Sequence, residues 1–442
     1  MEDTNGNLSI NASPTKEFFI SMLVKDIELV RSIIDLVDNS VDGARQIRDD
    51  DYTGLAIRIE FTKDYFKISD NCGGIPVDIA RNYAFRFGRH DNAQSIPHSI
   101  GLFGVGMKRT IFKLGRKFKV ESTTATSHFV IEEDIEDWKT KKEWTFDFEE
   151  LEEELPETPE DQRGTIITVT DLHSSVSDDF ELENFGIRLA REIEDAHISN
   201  LEKNLVITLD SVPLTAHPLH LLQSDILKPA YKETILEEQN LPQIKVKIYT
   251  GVSEPNPSTA GWYVFCNGRL ILKADRSRMT GWGEKKAKTI PNYHNDYARF
   301  RGFVFFESDD AKLLPWNTTK TGVDADSPRF RAIRSEMILL MRPVIDFLRK
   351  FRKEKSTDDD ERPLELSVEQ AKPARIHEIS VQSTFQAPKP TSSTRRRPKM
   401  PVIQYRKPVE EIRCIQQVLG VSTHKEVGEK TFEYFLEREC DD

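Results

Sequence analysis

The chain has 442 residues, of which 38% are hydrophobic and 31% charged, and this size and composition predict two or three globular domains joined by polar linkers. No apolar run approaches the roughly 18 residues of a membrane helix, and the N-terminus does not resemble a secretion signal, so we expect no membrane partner. A net charge of −12 argues against nucleic-acid binding by the whole surface and leaves only a local basic patch for it. Four sparse cysteines predict reduced thiols and a cytoplasmic location.

Composition and periodicity divide the chain into five segments. In chain order they are a polar arm (1–20), a helix-and-strand domain (21–175), a second helix-and-strand domain (176–352), a linker (353–398) and a small module (399–442). The linker is rich in charge, Pro, Ser and Thr, which predicts disorder. The first domain alternates a helix, a hairpin, a loop, a helix and further strands, which predicts an α+β sandwich of helices packed on a sheet.

The first informative segment is a predicted helix over 27–48, whose apolar residues recur at helical spacing. At about 100° per residue, Asp35, Asn39 and Asp42 fall in one narrow sector beside the apolar stripe. The amide oxygen of Asn39 is a candidate ligand for Mg²⁺, which prefers oxygen donors. The carboxylate of Asp35, one turn earlier, can orient or deprotonate a water. A solvated acidic helix face explains these residues equally well.

The second segment is a hairpin that ends at Asp70 and is followed by Gly73 and Gly74. A carboxylate at a strand end can accept a hydrogen bond from the exocyclic amine of adenine, and glycines allow a flat base to approach closely. An ordinary Asp-Asn turn has the same composition. This segment alone therefore does not distinguish an adenine site from an ordinary turn, and the neighbouring segments are needed to interpret it.

The third segment is a glycine-rich stretch that leads into a helix from about 104 to 114. Its glycines leave backbone amides open to an anion, and the helix N-terminus adds a positive dipole. The polar residues 85–103 before it predict a mobile lid. The candidates for phosphate contacts are Gly101, Gly104, Val105, Gly106 and Lys108. A flexible loop with a surface lysine is the alternative.

Together these segments resemble the nucleotide-binding domain of the GHKL ATPases, which include gyrase B subunits, heat-shock chaperones, MutL proteins and MORC proteins. Residues 35–39 resemble the first motif of that family, residues 70–74 the second and residues 101–106 the lid motif. Gly164 and Thr165 resemble the fourth motif, whose threonine helps to hold the adenine-binding aspartate. The resemblance implies a Bergerat fold that binds ATP and Mg²⁺ and hydrolyses the nucleotide.

The resemblance assigns roles to individual residues. The implied nucleotide contacts are Asn39, Asp42, Asp70, Gly74, Gly101, Gly104, Val105, Gly106, Lys108 and Thr165, with Asn39 also as the metal ligand. Two positions depart from the family pattern. Asp35 stands where glutamate is usual, and because its side chain is one methylene shorter we expect slow hydrolysis. Cys72 stands where the second motif usually has glycine.

Two further segments resemble the transducer domain of MutL-like members. Residues 264–269 resemble its strand and turn, and residues 316–322 resemble the loop whose lysine senses the terminal phosphate. The resemblance thereby adds Lys320 to Asp35 as a catalytic residue. A plain surface lysine is the alternative. The overall pattern is more similar to prokaryotic MORC-like and chaperone-like members than to gyrases.

The end of the chain suggests a different class of function. The predicted elements there are a basic run at 395–399, a strand at 401–406, and helices at 409–419 and 425–437. This order is similar to ribbon-helix-helix modules, which are dimers that place a β-ribbon in the DNA major groove. Gln404 and Arg406 would then face the bases. A helical module that only dimerises or docks a partner is the alternative.

Three related classes are excluded by what the sequence lacks. A histidine kinase needs a phosphoacceptor histidine on a helical hairpin before the domain, but the first histidine is His90. The chain is too short for a topoisomerase, and no cluster of His, Asp and Glu indicates a nuclease.

We therefore predict an ATP-stabilised homodimer, a clamp or switch reset by slow hydrolysis, whose arm crosses to the partner subunit. Its client would be DNA or a protein, in genome maintenance or defence. The alternative is an ATP-sensing DNA-binding regulator in which hydrolysis is incidental.

Overall fold

The computed structural model describes residues 14–87, 100, 106–284, 290–317, 319–355, 362–379, 383–388 and 403–440. The chain divides into a large unit, residues 1–390, and a small unit, residues 391–442. Several predictions lie outside the described residues, namely those for Gly101, Gly104, Val105, the basic run 395–399 and most of the arm and lid.

An eight-stranded sheet forms the first part of the large unit. Its strands are β1 (Ala56–Phe61), β2 (Tyr65–Asp70), β3 (Gly115–Thr123), β4 (His128–Asp134), β5 (Glu150–Glu152), β6 (Gly164–Leu172), β7 (Val206–Leu209) and β8 (Val212–Pro213). They lie in the order β5-β4-β3-β6-β2-β1-β7-β8, and β1 pairs with β7 in parallel while the other neighbours are antiparallel. Since β7 and β8 belong to this sheet, it continues past the predicted domain boundary at residue 175.

Helices accompany this sheet in the sequence. They are α1 (Lys16–Lys25), α2 (Leu29–Ile47), α3 (Val77–Ile79), α4 (Gly106–Leu114), α5 (Ile135–Thr140), α6 (Ser174–Glu181), α7 (Glu183–Ala196) and α8 (Ile198–Leu201), with a π-helical turn at Ala80–Ala84. The predicted apolar stripe of α2 is fully buried at Ile33, Val37 and Val41. Helix α2 packs against α4. Together with the sheet, these helices confirm the predicted α+β sandwich.

The described end of the N-terminal arm is held by its own chain. Lys16 is buried at the start of α1. Its ammonium donates to three backbone carbonyl oxygens at 2.7, 2.9 and 2.6 Å, those of Trp138, Lys141 and Glu143. The same nitrogen lies 3.9 Å from the centre of the Trp138 ring. The preceding residues, for which crossing to a partner is predicted, lie outside the described part.

A second sheet follows in the same unit. After a separate strand β9 (His220–Gln223), its strands are β10 (Ala230–Leu236), β11 (Ile244–Val252), β12 (Gly261–Cys266), β13 (Arg269–Asp275) and β14 (Phe300–Glu307), in the order β10-β11-β14-β12-β13. The predicted tight turn joins β12 to β13, and Asn267 and Gly268 there have φ values of 44° and 70°. Positive φ at both positions is typical of a two-residue hairpin turn.

The long helix α9 (Pro328–Lys355) packs on the second sheet. Its buried apolar side chains include Met337, Met341 and Val344, and its other face carries charged residues. The predicted helix over 329–351 is thus present and slightly longer. Among the described residues, no helix combines the length and apolar character needed to cross a bilayer.

The predicted disordered linker is wrong over residues 362–379. This stretch forms α10 (Pro363–Glu369) and β15 (Lys372–Arg375), and β15 pairs antiparallel with β9. Four of its sparse apolar residues, Leu364, Val368, Ile376 and Ile379, are buried, whereas Leu366 is exposed. Composition did not reveal this order because the partner strand lies about 150 positions earlier, as the pairing of Arg375 with His220 illustrates.

Residues 403–440, the described part of the small unit, contain two helices, α11 (Val409–Leu419) and α12 (His424–Glu439), as predicted. Helix α11 ends at Gly420, whose φ is 64°, and α12 begins with a capping box between Thr423 and Glu426. Residues 403–406 form no strand, which contradicts the predicted strand over this part. A strand needs a neighbour to satisfy its backbone groups, and residues 403–440 provide none for it.

Two glycines allow β2, β3 and β6 to meet closely. A Cβ built on Gly164 would lie 1.8 Å from the carbonyl oxygen of Asp70, and one on Gly74 would lie 2.2 Å from that of Thr123. Gly74 also has a φ of +73°, which side chains with a Cβ rarely adopt. Both positions therefore require glycine.

We expect Gly164→Ala to lower the free energy of unfolding by about 3 kcal/mol or more, because the added methyl overlaps backbone that cannot move without breaking the sheet. The control is Gly186→Ala in α7, whose Cβ would meet only the Phe61 ring, at an ordinary 3.6 Å. Chemical denaturation followed by circular dichroism compares the two variants with the parent chain. Equal stability of Gly164→Ala and the parent would contradict the close approach.

Candidate functional site

The polar sector of α2 lies at the centre of the candidate site. Asp35, Asp38 and Asp42 are all buried, whereas Asn39 is exposed. Buried carboxylates are costly unless cations or hydrogen-bond donors surround them. The partners of these three side chains therefore define the site. The alternative of a solvated acidic helix face applies to none of the three aspartates.

Asp35 lies against the first turn of α4. A Cβ built on Gly106 would be 3.5 Å from the Cβ of Asp35. One oxygen of Asp35 forms an ion pair with Arg109, and the other lies 3.5 Å from the Lys320 ammonium. The sequence analysis did not identify Arg109. Its position three residues after Gly106, on the same helix face, is a signal that could have found it.

Lys108 does not join this group. It is buried, and its ammonium donates to the carbonyl oxygen of Ala84 at 2.6 Å and lies 5.8 Å from the centre of the Phe87 ring. Burial lowers the pKa of Lys108 to about 7. The ammonium of Lys108 is thus engaged within the protein, and its contact with a phosphate stays a prediction. The physical reason that Lys108 does not join Asp35 is helical phase, because two residues after Gly106 correspond to about 200° of rotation away from Asp35.

Asp70 forms a second polar centre at the end of β2. One of its oxygens accepts from the Ser40 hydroxyl at 2.6 Å, and the other accepts from the backbone N–H groups of Cys72 and Thr165 at 2.9 and 3.2 Å. Burial raises the pKa of Asp70, although these three hydrogen bonds act in the opposite direction. Thr165 thus holds Asp70 through its backbone, and Gly74 lies a few residues beyond.

Asp42 is tied to the one lid residue that the structure describes between 88 and 105. Its carboxylate accepts a hydrogen bond from the backbone N–H of Ile100 at 2.7 Å. Arg45, one turn later, lies 3.9 Å from the same oxygen. Asp42 therefore holds the chain close to the start of α4.

Lys320 reaches the α2 aspartates from the loop between the second sheet and α9. It is buried, and its ammonium donates to Asp38 at 2.8 Å. Burial disfavours its charged form, but the attraction of Asp38 and Asp35 outweighs this effect and raises the pKa of Lys320. Its φ of 52° is unusual for a residue with a side chain. The alternative of a plain surface lysine is thereby contradicted.

Asp38 is completely buried and has two further partners. Its other oxygen lies 3.0 Å from Arg269 Nε and 3.2 Å from His197 Nε2. Burial alone would raise the pKa of Asp38, but Lys320 and Arg269, followed by His197, hold it well below its ordinary range. Burial lowers the pKa of His197 to about 4, against the opposing effect of Asp38. His197 is therefore neutral at pH 7.

The helix α2 is also bonded directly to the β12–β13 turn. Arg45 donates to the carbonyl oxygen of Asn267 and, at 3.2 Å, to the side-chain oxygen of Asn200. The Asn267 side chain in turn bonds the backbone of Ser308 at 3.0 Å in both directions. The polar face of α2 is thereby linked to the second sheet at two places, through Arg45 and through Asp38.

The titration of His197 predicts a pH effect on stability. Its pKa of about 4 lies below its ordinary 6.5, so on acidification the unfolded chain takes up a proton in this window that the folded chain does not. The free energy of unfolding should therefore fall as pH falls. His197→Gln keeps an N–H donor but cannot titrate, and it should reduce the loss between about pH 7.5 and about pH 5 by on the order of 1–2 kcal/mol. Denaturant unfolding at both pH values provides the measurement, and equal losses in the two proteins would count against a neutral His197.

The comparisons with known proteins agree with these two centres. The model of the family described as "Histidine kinase-, DNA gyrase B-, and HSP90-like ATPase" matches residues 27–165, which include Asp35, Asp70 and Thr165. A search of curated proteins found no match to the chain. The matched range begins at the residues just before α2 and ends at the start of β6. Residues 27–165 are therefore a GHKL-type ATPase domain, which implies that this part of the chain binds ATP.

Proposed function

We propose that the chain hydrolyses ATP slowly with Mg²⁺ and uses the nucleotide to switch between two states of a homodimer. The observation that carries this proposal is the meeting of three elements at Asp35. The residue itself is on α2, Arg109 comes from the helix after the glycine-rich loop, and Lys320 comes from beyond the second sheet. Asp35 lies between two cationic side chains, and both can turn from its carboxylate to a phosphate. This arrangement suits an enzyme that transfers a phosphoryl group.

The adenine end of the site is assigned to Asp70. Its carboxylate is fixed by Ser40, Cys72 and Thr165, so its orientation is set before a base arrives. Gly74 keeps the adjoining turn free of a side chain, and a Cβ there would clash with Thr123. A preorganised acceptor beside an open turn supports recognition of the exocyclic amine of a purine.

Asn39 is assigned to the metal. It lies one turn after Asp35, and its amide is exposed while the aspartates around it are buried. This amide is thus available to a ligand, as a Mg²⁺ site that draws its other donors from phosphates and water requires. The ion would neutralise charge on the phosphates when bound.

Asp35 is assigned to the attacking water. While Arg109 and Lys320 pair with it, its oxygens are engaged. A terminal phosphate offers these two cations a stronger partner, and the carboxylate then becomes free to orient a water and accept its proton. Because Lys320 belongs to the region beyond the second sheet, its change of partner would report nucleotide binding to that region.

The small unit is assigned to dimerisation. Large apolar side chains remain exposed on its helices, including Val418, Phe432 and Phe435, and Val427 is the one buried apolar side chain within residues 403–440. Modules below about 40 residues usually need oligomerisation, a metal or disulfides to be stable. A second copy of the hairpin would supply the missing core as a four-helix bundle. A client, DNA or protein, in genome maintenance or defence stays a proposal by family analogy.

The first test measures nucleotide binding and turnover. Calorimetry should detect ATP binding in the presence of Mg²⁺, and Asn39→Ala should abolish the Mg²⁺-dependent part because it removes the assigned metal ligand. Asp35→Asn should retain binding and lose turnover about 10²- to 10⁴-fold, since the amide cannot accept a proton.

Glu192→Gln is the matched control for these variants. Glu192 pairs with Arg31 across α2 and α7 at 2.8 Å, and both side chains are about one-third exposed. It should change neither binding nor turnover. Normal turnover in Asp35→Asn would remove Asp35 as the base, and absence of ATP heat in the parent chain would overturn the whole proposal.

A second test addresses the small unit. We expect a chain that ends at Pro390 to dimerise more weakly without nucleotide than the full chain in sedimentation-velocity experiments. The double variant Val418→Asp/Phe435→Asp should do the same in the full chain, because charge on both helices prevents formation of a shared core. Exposed Glu439→Gln serves as the control. An unchanged monomer–dimer equilibrium in both would assign the helices to another partner.

A further inference from the structure

Asp38, a fully buried acid on α2, has no role in the ATP site described above. We propose that Asp38 is a positioning residue that holds the Lys320 ammonium in the nucleotide-free chain, so that Asp38 and the terminal phosphate compete for one cation. This inference rests on the proposed role of Lys320 as the contact of that phosphate. It assigns Asp38, His197 and Arg269 to setting how strongly ATP is preferred over ADP.

The geometry shows which aspartate holds Lys320. The ammonium is 2.8 Å from an oxygen of Asp38 and 3.5 Å from the nearer oxygen of Asp35. Asp38 is also the more buried of the two, with 0% of its side chain exposed against 7% for Asp35. Opposite charges attract more strongly where water is excluded, so the hydrogen bond to Asp38 is the principal one that must break before Lys320 can bond a phosphate.

Asp38 remains neutralised when Lys320 leaves. Arg269 Nε and His197 Nε2 face its other oxygen at 3.0 and 3.2 Å. The Asn200 amide lies 3.2 Å from His197 Nδ1, which places the ring proton on Nε2, toward Asp38. A buried carboxylate that loses all its partners would oppose the switch strongly, whereas one that keeps a guanidinium 3.0 Å away and an imidazole 3.2 Å away opposes it less, although neither group makes a well-directed hydrogen bond to that oxygen.

Arg269 and His197 therefore determine how strongly Asp38 attracts the Lys320 ammonium. The positive charge of Arg269 offsets part of the negative charge of the carboxylate and repels the Lys320 ammonium, since both cations lie around one acid. Removing the charge of Asp38 should weaken the hold on Lys320. Removing the charge of Arg269 should strengthen it. The same site thus predicts opposite effects for two neutralising substitutions.

The readout is the ratio of ATP to ADP affinity, measured by calorimetry on the full chain with Mg²⁺ and a slowly hydrolysed ATP analogue. ADP lacks the phosphate that competes for Lys320, so effects of general charge on both nucleotides largely cancel in the ratio. Asp38→Asn should raise the ratio about tenfold, the size of one hydrogen bond to a charged group. Arg269→Gln should lower it several-fold.

A double-mutant cycle with Lys320→Met separates the competition from a merely structural role. In the Lys320→Met background, Asp38→Asn should leave the ratio unchanged, because the cation for which Asp38 competes is gone. Glu192→Gln, the exposed α2–α7 carboxylate, should leave it unchanged in either background. Circular dichroism checks that each variant is folded. If Asp38→Asn does not fold, the ATP-to-ADP affinity ratio of Arg269→Gln tests the competition instead.

The outcomes distinguish this inference from the proposed function. Binding of neither nucleotide to the parent chain would overturn both. Normal binding with an unchanged ratio in the folded Asp38→Asn or Arg269→Gln variants would overturn the inference alone. If Asp38→Asn changed the ATP-to-ADP affinity ratio equally in the parent chain and in the Lys320→Met background, the competition would also be rejected. Asp38 would then affect nucleotide binding by a route other than Lys320.

Discussion

One constraint dominates the large unit: the carboxylate of Asp38 is completely buried and must be neutralised. Its partners come from three separate places, the loop that carries Lys320, the first residue of β13 and the junction of α7 and α8. A buried charge that loses a partner is strongly destabilising, so these three elements must be in position together. The first sheet, its helices and the second sheet are for that reason joined by electrostatics as well as by apolar packing.

Because of this constraint, the polar face of α2 is bonded directly to residues of the second sheet. Helix α2 offers Asp35 and Asn39 on one side and Asp38 toward β13, and Arg45 reaches the β12–β13 turn as well. A ligand that alters the charge around Asp35 must therefore alter the balance at Asp38. Coupling between sites requires a shared element that has different partners in two states, and the proposed exchange of Lys320 between Asp38 and a phosphate would meet that requirement.

The local features of the fold were predictable from the sequence, and the contacts between distant residues were not. The 3.6-residue period of α2, the alternation in the hairpin before Asp70 and the Asn267-Gly268 turn are local signals, and the structure has all three. His197 and Arg269 carry no local signal, because their role depends on a carboxylate far away in the sequence, and Arg109 could be found only by its spacing from Gly106. Composition likewise misjudged residues 362–379, where a few apolar side chains and a distant strand suffice for order.

The burial of lysine side chains has a practical consequence. Within the part of the chain that the structure describes, three lysine side chains are almost wholly enclosed, those of Lys16, Lys108 and Lys320. Amine-directed reagents such as succinimidyl esters or formaldehyde with a reductant reach nitrogen atoms on the surface, and these three are shielded from them in the folded chain. Covalent labelling followed by mass spectrometry can hence distinguish local opening of the structure at the arm, at the first turns of α4 and at the Lys320 loop. Each kind of opening would expose a different amine, and the label would be found on that lysine.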